Sequence, residues 1–422
     1  MSVNGIEKKT IIKKSMEKSV FQIARDSYKP VLPKGLRTAV SLKETGATTS
    51  VGDQDEIKKM FPNTYGMPIV EFIEGIEGGH DPMNVGVILS GGQAPGGHNV
   101  ITGLFDTLKK LNPHNRLFGF LLGPEGLVEH KYIEITETYV NDFRNTGGFD
   151  IIGSGRTKLE TEDQFEKGYE ILKYLGIKAL VIIGGDDSNT NACVLAEYYK
   201  AKDYGVQVIG CPKTIDGDLK CEQIETSFGF DTATKVYSGL IGNIERDCNS
   251  ARKYWHFVKL MGRSASHIAL ECALQCHPNI CLISEEVQEK DMSLNDVVDQ
   301  ICKVIAYRAD RGMNYGVVLV PEGLIEFIPA IGRLIDELND LLAFHGDEYK
   351  YLSTGEQREY ILNHLSHKNK TTFETLPSDV ARQLSLDRDP HGNVQVSLIE
   401  TEKLLSRMCT HRLAKWKKEG KF

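Results

Sequence analysis

The stretch Ala179–Asn191, ALVIIGGDDSNTN, decides the fold. Five apolar residues in succession, Ala179–Ile183, read as a strand covered on both faces, as in a parallel sheet. Gly184 and Gly185 end the run and let backbone come close to a ligand. Asp186 and Asp187 follow, and helical periodicity runs from Thr190 to Lys202. Strand, glycine turn and helix in that order are part of a βαβ unit. The second carboxylate is the odd element, because a loop built to hold phosphate gains nothing from extra negative charge.

Outward from this stretch the same texture repeats. The runs VGVIL, LFGFLL, FDIIG, VQVIG, HFVKLMG, NICLIS and YGVVLV all read as strands, between Val85 and Val320. Plausible helices lie between them, among them Asn99–Lys110 and Thr161–Leu175. Eight strands with ALVIIGG are many for one sheet, so the pattern predicts an α/β fold with two doubly wound, mostly parallel domains and an active-site cleft. The expected parts are an N-terminal extension over 1–83, an α/β domain over 84–228, a second over 229–324, and a helical segment over 325–422. The seam falls near Phe228. Phe327, Ile331, Leu334, Leu338 and Leu341 share one helical face, and a polar loop is expected around His345–Gly355. Leu405, Met408 and Trp416 mark another helix near the end.

Composition bounds the function. Hydrophobic residues make up 41% and charged residues 26% of 422 residues, an ordinary globular balance. A net charge of -8 argues against a nucleic-acid or membrane-surface binder, which carries a basic stripe. Nine cysteines include no CxxC and no zinc-type spacing, so small buried residues in a reducing compartment are expected. Neither a signal peptide, a transit peptide nor a membrane span is evident, and the cytoplasm follows by exclusion.

Glycines or acids follow the strand ends repeatedly, and ligands of open α/β sheets bind outside those ends. LSGGQAPGGHN, Leu89–Asn99, is a strand, a glycine-rich turn and a helix start that can hold anionic oxygens; it matches neither GxxxxGK[ST] nor GxGxxG. GCPKTIDGDL, Gly210–Leu219, places Lys213, Thr214, Asp216 and Asp218 in one loop. A carboxylate there can take a proton from a hydroxyl, and a lysine can offset charge on a transferring phosphoryl group. Asp186 can ligate Mg²⁺, or one acid of the Asp186–Asp187 pair can cap the helix. Arg263 suits a phosphate and Glu322 suits sugar hydroxyls, while Arg156 and Lys158 follow a further expected strand.

Together these loops resemble the phosphofructokinase family. GGQAPGGHNV, GGDDSNTNA, CPKTIDGDLK, SFGFDTATK, MGRSASHI and PEGLIEFIP stand in the family's order, and DRDPHGNVQVSLIETEKLL is similar to the long pyrophosphate-dependent branch of the plant beta-subunit type. The resemblance implies reversible phosphoryl transfer from pyrophosphate to the C1 hydroxyl of fructose 6-phosphate. It implies Gly91 and Arg156 on the donor, Asp186 on Mg²⁺, Asp216 as base and Lys213 as transition-state stabiliser. Thr214, Ile215, Met261, Gly262, Arg263 and Glu322 would contact the sugar phosphate. Lys253 and Tyr254 would reach a neighbouring subunit, so a homo- or hetero-oligomer is expected. Asp187 stands where ATP-dependent relatives carry glycine, and is expected to exclude ATP by charge. Family members also continue past KKEGKF into a segment with further sugar contacts, so weak fructose 6-phosphate binding by these 422 residues alone is expected. An ATP-dependent 6-phosphofructokinase and a non-catalytic subunit paired with a longer one remain the alternatives.

Overall fold

The structure, a computed structural model, describes residues 18–31, 39–76, 78–349, 351–386 and 394–421. Part of the DRDPHGN motif, 387–393, lies outside the described residues. The chain divides into two compact units, Met1–Thr214 and Ile215–Phe422. The division falls in the PKTIDGD loop, upstream of the Phe228 seam read from the sequence.

The first unit includes an antiparallel pair, β1 (Val40–Ala47) and β2 (Pro68–Glu74). Its main sheet contains β3 (Asn84–Leu89), β4 (Arg116–Phe120), β5 (Tyr132–Glu134), β6 (Ile177–Gly184) and β7 (Gln207–Pro212) in the order β5-β4-β3-β6-β7. All pairings are parallel except that of β5 with β4. Three helices matter for the site: α1 (Gly97–Leu111), α2 (Glu162–Tyr174) and α3 (Asp186–Ala201). α2 begins where Thr161 and Gln164 form a capping box, satisfying two otherwise orphaned amides. Strand β3 is buried because helices cover both faces; Val87, Ile88 and Leu89 are all 0% exposed. The chain leaves β3 toward β4 on one side, and β6 pairs with β3 on the other. That reversal is a topological switch point, the place at which open α/β sheets bind ligands.

One expected strand is absent. FDIIG, 149–153, is an irregular buried segment, although Phe149, Ile151 and Ile152 are only 1–3% exposed. Its amides are satisfied without a ladder: the Asp150 and Ile151 N–H groups both donate to His98 Nε2 at 2.9 Å. The apolar run reads as a strand, whereas the hydrogen-bond partner is an imidazole from α1. Arg156 therefore follows a loop. The Asp150 carboxylate also lies 2.9 Å from Nε2. Burial also holds the imidazole below its ordinary range, the weaker pull of Asp150 notwithstanding.

The second unit holds a smaller parallel sheet, β8 (Trp255–Leu260), β9 (Ile280–Cys281) and β10 (Gly316–Pro321), in the order β8-β10-β9. Its helices include α4 (Phe230–Ala251), α5 (His267–Cys276), α6 (Leu294–Ala309), α7 (Pro329–Tyr349) and α8 (Thr401–Lys418). The helical tail shares one core with the sheet: Val318 and Val320 pack in the same cluster as Leu334, Leu338 and Leu405. α7 runs through the expected loop as far as Tyr349, and the next helix starts at Thr354. The reason is that the apolar stripe continues from Leu338 and Leu342 to Tyr349, which is 7% exposed. All nine cysteines are free. Among the described residues no helix is long and apolar enough to cross a membrane.

Candidate active site

At the switch point of the first unit the loop after β3 and the loop after β6 meet. Ser188 Oγ donates to Ser90 Oγ at 2.8 Å, a buried bond that ties the two loops together. Gly91 has φ +85°, a left-handed conformation that favours glycine, and its amide donates to Gly155 O at 2.9 Å. Lys213 follows β7 directly and reaches the same place. Its amide donates to Gly184 O at 2.8 Å and its ammonium to Gly92 O at 2.6 Å. Lys213 is only 7% exposed, and Nζ lies 5.4 Å from the centre of the Phe149 ring. A Cβ on Gly91 would lie 3.7 Å from Nζ, and one on Gly92 would lie 3.3 Å from Arg156 Nη2. Gly91, Gly92, Arg156 and Lys213 are thus brought together. A turn, a guanidinium and an ammonium in this arrangement can hold a polyanion.

Asp186 and Asp187 are exposed and occupy the first turn of α3, with Gly185 as N-cap and no side-chain cap. The N-cap position itself, expected for one of them, is taken by Gly185. Asn189 instead fixes the turn: its Nδ2 donates to Gly184 O and Gly185 O, each at 2.8 Å. Among the described residues no group of three His, Cys, Asp or Glu side chains could hold a metal. The donor set at the head of α3 nevertheless fits Mg²⁺, which takes one or two carboxylates and completes its shell with water and phosphate oxygens.

In the second unit Asp216 is mostly withdrawn from water. Burial, then the charges of Asp218 and Glu322, push its carboxyl up to about 6 against the opposing Arg263. Glu322 follows β10, is 9% exposed, and is likewise raised by burial, with Lys259 and Arg263 opposing. Glu326 is pushed up to about 7, again by burial first. Three carboxylates with raised affinity for protons therefore surround one arginine. The backbone has been shaped to admit Arg263. Gly262 has φ +120°, and Gly323 presses against the Arg263 carbonyl so closely that no Cβ would fit. His267 Nδ1 lies 2.9 Å from Gly217 O and steadies the Asp216 loop. One oxygen of Asp218, Oδ1, is buried without a hydrogen-bond partner.

Some expected residues lie elsewhere. Met261, Gly262 and Arg263 follow the end of β8, whereas Lys253 and the 70%-exposed Tyr254 precede its start. Six strand residues at ~3.3 Å each put ~20 Å between the two groups within one chain. Sequence reading missed Ser90, His98, Phe149, Ser188 and Asn189. Ser188 and Asn189 stand inside the quoted motif, but nothing in their spacing announces which backbone groups they hold.

The family model described as Phosphofructokinase matches residues 84–372. A protein of Porphyromonas gingivalis named pyrophosphate–fructose 6-phosphate 1-phosphotransferase is 64% identical over 408 residues, covering 96% of this chain and 74% of its own length. The Arabidopsis thaliana subunit beta 2 of the same name is 50% identical over 407 residues, covering 96% and 70%. The Solanum tuberosum subunit alpha is 40% identical over 417 residues, covering 96% and 66%. A solved pyrophosphate-dependent phosphofructokinase from Nitrosospira multiformis aligns with a TM-score of 0.50 at 21% identity, over 57% of this chain and 60% of that one, which speaks to fold alone. The family match spans the loops after β3, β6, β7, β8 and β10 in one continuous range, and on that ground the chain belongs to the phosphofructokinase family.

Proposed function

We propose that this chain transfers a phosphoryl group reversibly from pyrophosphate to the C1 hydroxyl of fructose 6-phosphate, giving fructose 1,6-bisphosphate and phosphate. The observation that carries the reading is Lys213, an ammonium buried beside the Gly91–Gly92 turn at the sheet's switch point. It is supported by 64% identity to a protein named for that reaction.

Asp216 takes the proton from the C1 hydroxyl. A carboxyl pushed up to about 6 is a stronger base than an ordinary aspartate and is still ionised at neutral pH. Lys213 meets the oxygens of the phosphoryl group in transit, where charge spreads in the transition state. Lys213 and Asp216 stand three residues apart in one loop. Gly91 and Arg156 hold the donor. Thr214, Ile215, Met261, Gly262, Arg263 and Glu322 hold the sugar phosphate. Asp186 would hold Mg²⁺, which would neutralise charge on pyrophosphate when bound. Asp187 keeps out a donor with a further phosphate in its place. Lys253 and Tyr254 serve the site of a neighbouring copy or related subunit, the latter being the arrangement that the alpha and beta names of relatives favour. In this reading residues 84–228 serve the donor, 229–324 the sugar, 325–422 buttress the second unit, and 1–83 form an extension. Nine free thiols accord with the cytoplasm.

The test is a coupled assay with fructose 6-phosphate and Mg²⁺, comparing pyrophosphate with ATP. Turnover with pyrophosphate and none with ATP is expected. Equal or faster turnover with ATP refutes the donor assignment.

A further inference from the structure

Behind the Gly184–Asp187 turn, within the first unit, lies a cavity of about 610 Å³. It is roofed by the N-terminal segment and floored by α3 and β7. Asn63 and Thr64 clamp that roof to α3: their amides and side chains donate to the Glu197 carboxylate at 2.5–3.2 Å. Ile57, Phe61 and Met67 form an apolar wall, and Ser50, Tyr65 and Thr190 offer hydroxyls. No charged side chain lines it. The volume falls within the range of small-molecule sites, and an apolar wall with a few convergent polar groups is their usual make-up.

Asn189 also lines the cavity. Both hydrogens of its amide are committed to Gly184 O and Gly185 O, and its Oδ1 lies where a Cβ on Gly210 would fall. An occupant that displaces Asn189 breaks both bonds and loosens the turn from which Asp186 and Asp187 project.

We propose that this cavity binds an uncharged small molecule with a ring and hydroxyl groups, and that Asn189 couples its occupancy to the Gly184–Asp187 turn. The binding is independent of the proposed reaction; the effect on turnover rests on it. Cys193, which lines the cavity, permits a direct test. Benzyl methanethiosulfonate would tether a ring there, methyl methanethiosulfonate a single methyl group, and Cys193→Ser identifies the site by peptide mass spectrometry. Amide hydrogen exchange over residues 184–189 is the readout, with circular dichroism to establish that the fold persists. The expected result is a benzyl adduct at Cys193 with at least fivefold faster exchange in that peptide, and less than twofold for the methyl adduct. The KM for pyrophosphate should rise severalfold with the benzyl adduct alone. Three results overturn the proposal: Cys193 labels with the methyl but not the benzyl reagent, full benzyl labelling leaves exchange unchanged, or labelling unfolds the protein. If the chain has no pyrophosphate activity, the reading of its reaction fails while the exchange measurement still decides this proposal.

Discussion

Replacing Asp216 by Asn should make the protein more stable and nearly inactive. The carboxyl is raised from 3.8 to about 6, with burial the first cause and Asp218 and Glu322 next. Each pH unit between those values corresponds to ~1.36 kcal/mol, so keeping Asp216 ionised in the folded state costs ~3 kcal/mol. The sign follows from proton binding. Between 3.8 and about 6 the folded protein holds the proton more tightly than the unfolded chain, so stability falls as pH rises through that window. The cost is absent below 3.8 and complete above about 6. Asn carries no charge and escapes it. Asp216→Asn is therefore expected to raise the melting temperature at pH 7.5 by several degrees, at ~2–4 °C per kcal/mol for a domain of 150–250 residues. The gain should vanish near pH 4. Turnover should fall by ~10²–10⁴, the range for a lost general base. Differential scanning fluorimetry of both proteins from pH 4 to 8 tests the first part and the coupled assay the second. A wild-type protein that melts higher than the variant at pH 7.5 would refute the reasoning, because it would mean that the ionised Asp216 is held by favourable contacts.

Further outcomes follow from the same structure. Asp218→Asn removes a charge that raises Asp216, so the acid limb of the kcat/KM profile should move below about 6; a shift upward contradicts the assigned cause. Asp187→Gly should improve ATP as donor or competitor. Charge repulsion at ~4 Å is worth ~4 kcal/mol at a dielectric of 20 but ~1 kcal/mol in water. Asp187 is exposed, so a gain nearer fivefold than a thousandfold is expected from competition assays. Burial lowers the His98 imidazole, so its contribution to stability is complete above 6.5 and lost as pH falls below it; thermal melts of His98→Phe should converge on wild type toward pH 5. Gly91→Ala should cost ~1–2 kcal/mol through its φ of +85° rather than through a clash, and a denaturant titration will read it.

The quoted stretch foretold the fold because its signals are local. An unbroken apolar run, a glycine pair and a helical period each leave a mark within a dozen residues, and β6, its turn and α3 followed. The Phe149–Gly153 segment failed for the opposite reason. Its apolar residues are buried as a strand's would be, but their amides belong to His98, some fifty positions upstream. The loop expected around His345 failed because helix periodicity resumes at Tyr349 beyond polar residues. In the site, residues that carry charge were legible, since Lys213, Asp216 and Arg263 announce themselves by type and loop position. The residues that brace the Gly184–Gly185 turn were not. Ser188 and Asn189 act by pairing with Ser90 and with two carbonyls, and a one-dimensional pattern does not report pairing.

The turn before α3 is held by bonds wholly internal to the protein: Ser188 to Ser90, Asn189 to two carbonyls, and the Lys213 amide to Gly184. Nothing in that set waits for a ligand. The turn has lost its conformational freedom by the time the chain has folded, so the donor meets a finished surface. Calorimetry of donor binding should then show a small ordering entropy, and the first unit should tolerate swaps of the bound anion without rearranging.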